Sequence, residues 1–321
     1  MAASIDVVVP VHDGYELTRD CLAHLRDQTL AHRAIVVDDG SSDDTAARLR
    51  EEWPNVTVVT LDSNRGYTKA VNRGVSAGEG EYLVLLNNDV LLRPDCLERL
   101  VAPLGREPRT GSVAALMLMP GERRIDSFGV VADITLAGFA RLRGRDVEET
   151  ETAIEPILAP VLTGPEGTAG AYRRAAWEQV GGLDETIGAY MEILDLALRL
   201  RAAGWGTTGA ADARGMHLGS RTYGKRSTRQ RRLAGFSRGY LLRRYGVLRG
   251  RAGGRALLTE AAVVAADLAI CHDAQALRGR LEGWRAGAGM PRHPRPPAEA
   301  IDSSISLWES LRLRREAIAG Q

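Results

Sequence analysis

The sequence predicts an α/β fold: a mostly parallel sheet flanked by helices, followed by a helical C-terminal extension. Two observations carry this. Short β-branched or apolar runs (Ile5 to Pro10, Ile35 to Val37, Val56 to Leu61, Tyr82 to Leu86) recur through the first quarter of the chain. Each of the first three leads through a polar loop into a helical pattern, and such repeated strand–loop–helix units form parallel sheets with right-handed crossovers. The fourth, in YLVLLNNDV, is uninterrupted between Gly80 and Pro94, as expected of a strand covered on both faces.

Length and charge narrow the classes. A chain of 321 residues can bury a full core. A net charge of +1 with 26% charged residues argues against a nucleic-acid binder, so no nucleic-acid partner is expected. Arginine largely replaces lysine and thickens after Arg214. Coding composition explains this bias more simply than an acidic ligand or a lipid surface does. Cys21, Cys96 and Cys271 match no metal spacing and read as reduced thiols. Met1-Ala2-Ala3 passes straight into a strand pattern and no run of about 18 apolar residues occurs, so a cytoplasmic protein is expected.

Each element has its own signal. After Ile5 to Pro10, Val11 to Gly14 is a loop and Tyr15 to Gln28 a helix with Leu17, Cys21, Leu22 and Leu25 on one face. Ile35 to Val37 runs into DDGSSDDT, where Ser42 or Asp43 can cap the next helix. Val56 to Leu61 leads through Asn64-Arg65-Gly66 to a helix over Tyr67 to Ser76, whose N-terminus suits phosphate. Tyr82 to Leu86 ends on Asn87-Asn88-Asp89. Ligands of open α/β sheets meet such strand ends. Asp38 and Asp39 together exceed what a cap needs, and a carboxylate there can accept from the N3–H of uracil or thymine. Asp89 suits a hard cation that also holds a diphosphate.

These segments, VVVPVHDGYELTRDCLAHLRDQT, IVVDDGSSDDT, NRGYTKAVNRG and YLVLLNNDV, resemble the ordered motif series of family 2 glycosyltransferases, particularly rhamnosyltransferase-like members, over roughly Ser4 to Ser220. The resemblance implies a GT-A fold with a Rossmann-like sheet, a nucleotide-diphosphate sugar donor (UDP- or dTDP-linked), a divalent metal (Mn or Mg) and inversion at the anomeric carbon. The family's Asp-X-Asp is here Asn87-Asn88-Asp89. Pro10, His12, Asp38, Asp39, Asn64, Gly66, Lys69 and Asn88 are then expected at the donor, and Asp89 with His217 at the metal.

Beyond Arg109, a strand is expected near Ser112 to Leu118, and Gly121 to Glu155 reads as hairpins and a mobile excursion over the site. GPEGTAGAY, a helix over Arg173 to Val180 and Gly181-Gly182-Leu183-Asp184 resemble the family's acceptor-side segment. In AYMEILDLALRLRAAGW, Glu192 and Asp195 share a face if helical. They match the first acid and the Asp-Leu pair of the family's Glu-Asp-X-Asp-Leu motif, so both are candidate catalytic residues. Ile193 stands where the motif has its usual base. Either Glu192 takes that role, or the chain is a silent nucleotide-sugar binder; helix capping is the plainer reading of both acids. A nucleotidyltransferase would show a Gly-rich basic loop after the first strand, which Val11 to Gly14 is not.

Residues 1–224 are expected to form the glycosyltransferase domain, with a donor half to about 110 and an acceptor half over about 111–224, and 225–321 the helical extension. The latter holds a basic amphipathic helix around Leu233, Phe236, Tyr240 and Leu241, further helices over Ala256 to Ile270, Ala274 to Trp284 and Ile305 to Ile318, and a linker over Gly287 to Pro297. The last helix is expected to dock on the body. These helices are also candidates for a homodimer or peripheral membrane contact, and the acceptor is left open among glycan, lipid-linked and small molecules.

Overall fold

The computed structural model describes residues 4–151, 161–219 and 227–319. Its elements are, in order, β1 (Ile5–Val11), α1 (Tyr15–Arg26), β2 (Arg33–Asp38), α2 (Thr45–Glu52), β3 (Thr57–Thr60), α3 (Tyr67–Ser76), β4 (Tyr82–Leu86), β5 (Val90–Leu92), α4 (Cys96–Arg106) and β6 (Thr110–Leu118). Next come β7 (Ile125–Ser127), β8 (Val130–Ala132), β9 (Gly138–Ala140), α5 (Val147–Glu151), β10 (Ala169–Arg173), α6 (Arg174–Val180), α7 (Glu192–Ala202) and β11 (Gly206–His217). The chain finishes with α8 (Thr228–Arg244), α9 (Gly253–Cys271), α10 (Gln275–Ala286) and α11 (Leu307–Ala319). The domain boundary expected at residue 224, Ser220, and positions 152–155 of the expected excursion lie outside the described residues.

The main sheet runs β3-β2-β1-β4-β10-β6-β11-β5, with β7 beside β6. β3, β2, β1 and β4 are parallel neighbours, β11 is parallel to β6, and β10 and β5 run antiparallel. Strand alternation divides the core between the faces. Val7, Val9, Val11, Val36 and Val84 pack on one side with Leu22 and Leu97, whereas Val8, Ile35, Val37, Leu83 and Leu85 pack on the other with Val71 and Leu196. Both faces of β4 are therefore covered, as its unbroken apolar run requires.

Several expectations need correction. Leu17 of α1 is exposed; the buried face is Tyr15, Thr18, Cys21, Leu22 and Leu25. The described part of the Gly121 to Glu155 segment is packed, with Val131, Ala132, Leu136 and Phe139 buried around the β8–β9 hairpin. Its many charges mask that pattern in the sequence. Gly287 to Pro297 is partly held against the body: the His293 N–H donates to the Arg244 carbonyl at 2.9 Å and its ring packs on Tyr245.

The extension shares its core with the sheet domain. Leu194 and Leu198 of α7 and Ala132 of β8 cluster with Tyr240, Leu241, Tyr245 and Ala256. α8 is not the amphipathic helix its pattern predicts: Ser237 to Leu242 is buried without a break, and the buried Arg238 donates to Glu260 at 2.7 Å and to the carbonyls of Leu136 and Thr135. α11 docks through Ser310 and Arg314, while Trp308 is 79% exposed.

Candidate active site

β1, β2, β3 and β4 point the same way, so the loops that follow them share one edge. Pro10 is partly buried, in register with Val37. Asp38 is buried and accepts from the Ser41 N–H at 3.1 Å, a turn-forming bond. Asp39, also buried, accepts from the amides of Arg65 (2.6 Å) and Gly66 (2.8 Å). It thereby ties the loop after β2 to the loop after β3, and its oxygens keep further lone pairs. His12 Nδ1 lies 3.0 Å from the Asp39 carbonyl. Asn64 and Lys69 are exposed on the rim. Gly66, at φ 91°, leads into α3 with no side-chain cap on the helix. Asn88 is turned away from the edge, donating to Thr18 Oγ1 at 3.0 Å, so its amide anchors α1.

Asp89 and His217 meet through pairing of β5 with β11, which sets His217 opposite Val90. His217 Nε2 is 3.3 Å from Asp89 Oδ2, yet this nitrogen and both Asp89 carboxylate oxygens are buried without a well-formed hydrogen bond. On its far side, His217 Nδ1 lies 2.7 Å from Asp126 Oδ2, and Asp126 Oδ1 is 3.3 Å from Arg143. Burial alone would lower the imidazole pKa; Asp126 and Asp89 outweigh it and push it up to about 10. Unsatisfied buried groups are costly. A carboxylate and an imidazole nitrogen shielded together, with Asp126 orienting the ring from behind, fit a divalent cation. Sequence reasoning missed Asp126: it stands alone in the poorly patterned segment, and only tertiary pairing brings it to His217.

From the other half, α7 brings Glu192. The two residues before it, Tyr190 and Met191, have φ of 64° and 65°, a conformation uncommon for side-chain-bearing residues and frequent where function fixes geometry. Glu192 Oε2 is shielded and unpartnered. Burial pushes its carboxyl up to about 7, with Glu166 adding to the shift against its own backbone N–H. Glu166 accepts from the Thr168 N–H and hydroxyl at 2.8 and 2.7 Å. Burial raises the Tyr67 hydroxyl well above its ordinary range, and Glu192 contributes. A Cβ on Gly66 would lie 3.5 Å from the Gly188 carbonyl, so the approach to α7 adjoins the β3–α3 loop.

Asp195 does not join Glu192. It is fully buried, accepting from Arg199 Nε at 2.7 Å and Tyr245 Oη at 2.9 Å, so it anchors the extension and has no oxygen to offer a substrate. Its neighbours Asp184 and His293 place ligand-type atoms within 4.8 Å of one another with it. Arg199 and Arg244 already neutralise that group, and Tyr240 donates to Asp184. Ile193 is buried among Leu183, Leu196 and Tyr172.

The model of glycosyl transferase family 2 matches residues 6–178. An N-acetylglucosaminyl-diphospho-decaprenol L-rhamnosyltransferase of Mycobacterium tuberculosis is 29% identical over 209 residues, 60% of this chain and 68% of that one. The O-antigen biosynthesis protein RfbC of Myxococcus xanthus is 29% identical over 228 residues, 66% of this chain but 17% of its own length. In fold, the chain is similar to a mannosyltransferase, PcManGT, from Pyrobaculum calidifontis in complex with GDP-Man and Mn2+ (TM-score 0.56, 18% identity, covering 100% and 87% of the two chains). It is also similar to GalNAc-T7 with UDP, GalNAc and Mn2+ (TM-score 0.63, 13% identity, 98% and 57%). With its motif series on one sheet edge and the family model spanning more than half its length, the chain belongs to the family 2 glycosyltransferases of GT-A fold.

Proposed function

We propose that the protein is a metal-dependent, inverting glycosyltransferase that moves a sugar from a UDP- or dTDP-linked donor to the hydroxyl of a glycan or lipid-linked acceptor. The observation that carries this reading is the shielded Asp89–His217 pair, whose facing atoms make no well-formed hydrogen bond, at the edge where the β1 to β4 loops gather. Asp89 and His217 would hold the cation, which when bound neutralises the leaving diphosphate as a Lewis acid. A mixed oxygen–nitrogen set favours Mn2+ over Mg2+. The Asp39-clamped loop and the uncapped start of α3 would face the nucleotide diphosphate.

In the transfer, the acceptor oxygen forms a bond to the anomeric carbon from the face opposite the leaving group. The carbon–oxygen bond to the diphosphate breaks, and Glu192 takes the hydroxyl proton. A carboxyl poised near 7 is matched to that task. The reading of a silent binder draws on Ile193, but that side chain belongs to the core. The base is then assigned to Glu192, one residue earlier. Calorimetry of UDP- and dTDP-sugars with and without Mn2+, followed by assay of the anomeric product, tests the proposal. Donor binding unaffected by chelation would overturn the metal, and retained configuration would overturn inversion.

A further inference from the structure

The extension carries an exposed surface none of whose residues has a role in the proposed transfer. α9 is buried only along its first turns, at Gly253, Ala256, Thr259 and Glu260. From Ala261 to Ile270 it has no buried residue, although Asp267 is the only charge there. Leu258 is 65% and Ile270 68% exposed, and Leu277 and Leu281, one helical turn apart on α10, are exposed as well. Large apolar side chains left in water all round the outer half of a helix mark an interaction surface. Among the described residues, no helix is long and apolar enough to cross a membrane.

Charge decides what covers the face. From residue 227 onward, arginines outnumber acidic residues by roughly two to one, whereas the whole chain carries +1. Arg251 just before α9, and Arg278 and Arg285 on α10, are exposed and have no ion-pair partner among the described residues. In a two-fold dimer the same patch meets itself, so this arginine excess would be brought together. An anionic lipid surface offers the opposite charge, and its acyl boundary accepts an apolar helix lying in the interface. We infer that α9 and α10 form a peripheral docking surface for a bilayer with anionic headgroups.

Co-sedimentation of the full chain with phosphatidylglycerol/phosphatidylcholine vesicles, without donor or acceptor, tests this separately from catalysis. The expected result is salt-sensitive binding to the mixed vesicles, at least tenfold weaker on phosphatidylcholine alone. Leu258→Ser with Ile270→Ser should weaken it about tenfold with unchanged melting temperature, because both side chains project into solvent. Arg278→Gln with Arg285→Gln should lower affinity and flatten its salt dependence. Equal binding to both vesicle types, no binding, or a wild-type dimer that the Leu258 and Ile270 substitutions split into monomers would each overturn the inference.

Discussion

At the scale of single residues, Glu192 and Asp126 do different work with the same functional group. Glu192 has a carboxyl raised to about 7 by burial, against an ordinary value near 4.3 in the unfolded chain. The folded state therefore binds more protons between those two values, and stability falls as pH rises through that window. Glu192→Gln removes the effect, so the variant should be more stable than wild type at pH 8, by roughly 3 kcal/mol, and no more stable at pH 4. Its turnover should drop by about 10²–10⁴-fold with donor affinity kept, and wild-type kcat should rise through pH 7. Equal turnover in the two proteins would place the base elsewhere. Asp126 instead fixes the ring of His217 from 2.7 Å. Asp126→Asn should weaken Mn2+ binding about 10–100-fold, as loss of such an orienting partner does. Unchanged affinity by calorimetry would return Asp126 to ordinary core polarity.

At the scale of elements, the strands and helices of the first half were legible because local pattern and burial agree there. β4 is apolar on both faces and buried on both, and α3 spans the residues its pattern marks. The candidate site was half legible: Asp89 follows from the end of β4 and His217 from the family resemblance, whereas Asp126 and the Glu166–Glu192 neighbourhood depend on non-local pairing. Asp195 misled because helical spacing puts it beside Glu192 without revealing that Tyr245, fifty residues later, claims its oxygen. The α8–α10 pair makes a similar point. Gly235 and Gly239 on one helix and Gly279 and Gly283 on the other each lie against backbone of the partner, so close that a Cβ would overlap a carbonyl. Four-residue glycine spacing on both helices is the signal that anticipates this contact. Gly239→Ala should cost about 1–3 kcal/mol or more by forcing the helices apart. A melting temperature equal to wild type would show that the pair has room the structure does not display.

Over the whole molecule, the extension and the sheet domain are held by one buried polar network as well as by a shared core. Glu260 of α9 is bound by Arg238 of α8, Arg280 of α10 and Arg314 of α11, each within 2.8 Å. Burial would raise its carboxyl pKa, but the three arginines carry it far below the ordinary range. Its contribution to stability is therefore present above the unfolded value near 4.3 and is lost as pH falls below it. Asp133, before the β9 hairpin strand, accepts from Ser310 Oγ of α11 at 2.7 Å, and Arg255 donates to the carbonyls of Ile305 and Ser306. Truncation after Pro297 removes Arg314 and Ser310 together and leaves Glu260 and Asp133 short of partners. Breaking one side of a buried charged network typically costs about 3–5 kcal/mol, and in a chain of this size that lowers the melting temperature by on the order of 10 °C. The truncated protein should melt that much earlier at pH 7, in a single transition, because α8 and α9 share a core with α7. A second, separate transition for the extension, or a melting temperature equal to the full chain, would show that α11 is an appendage and that this network is not what joins the two parts.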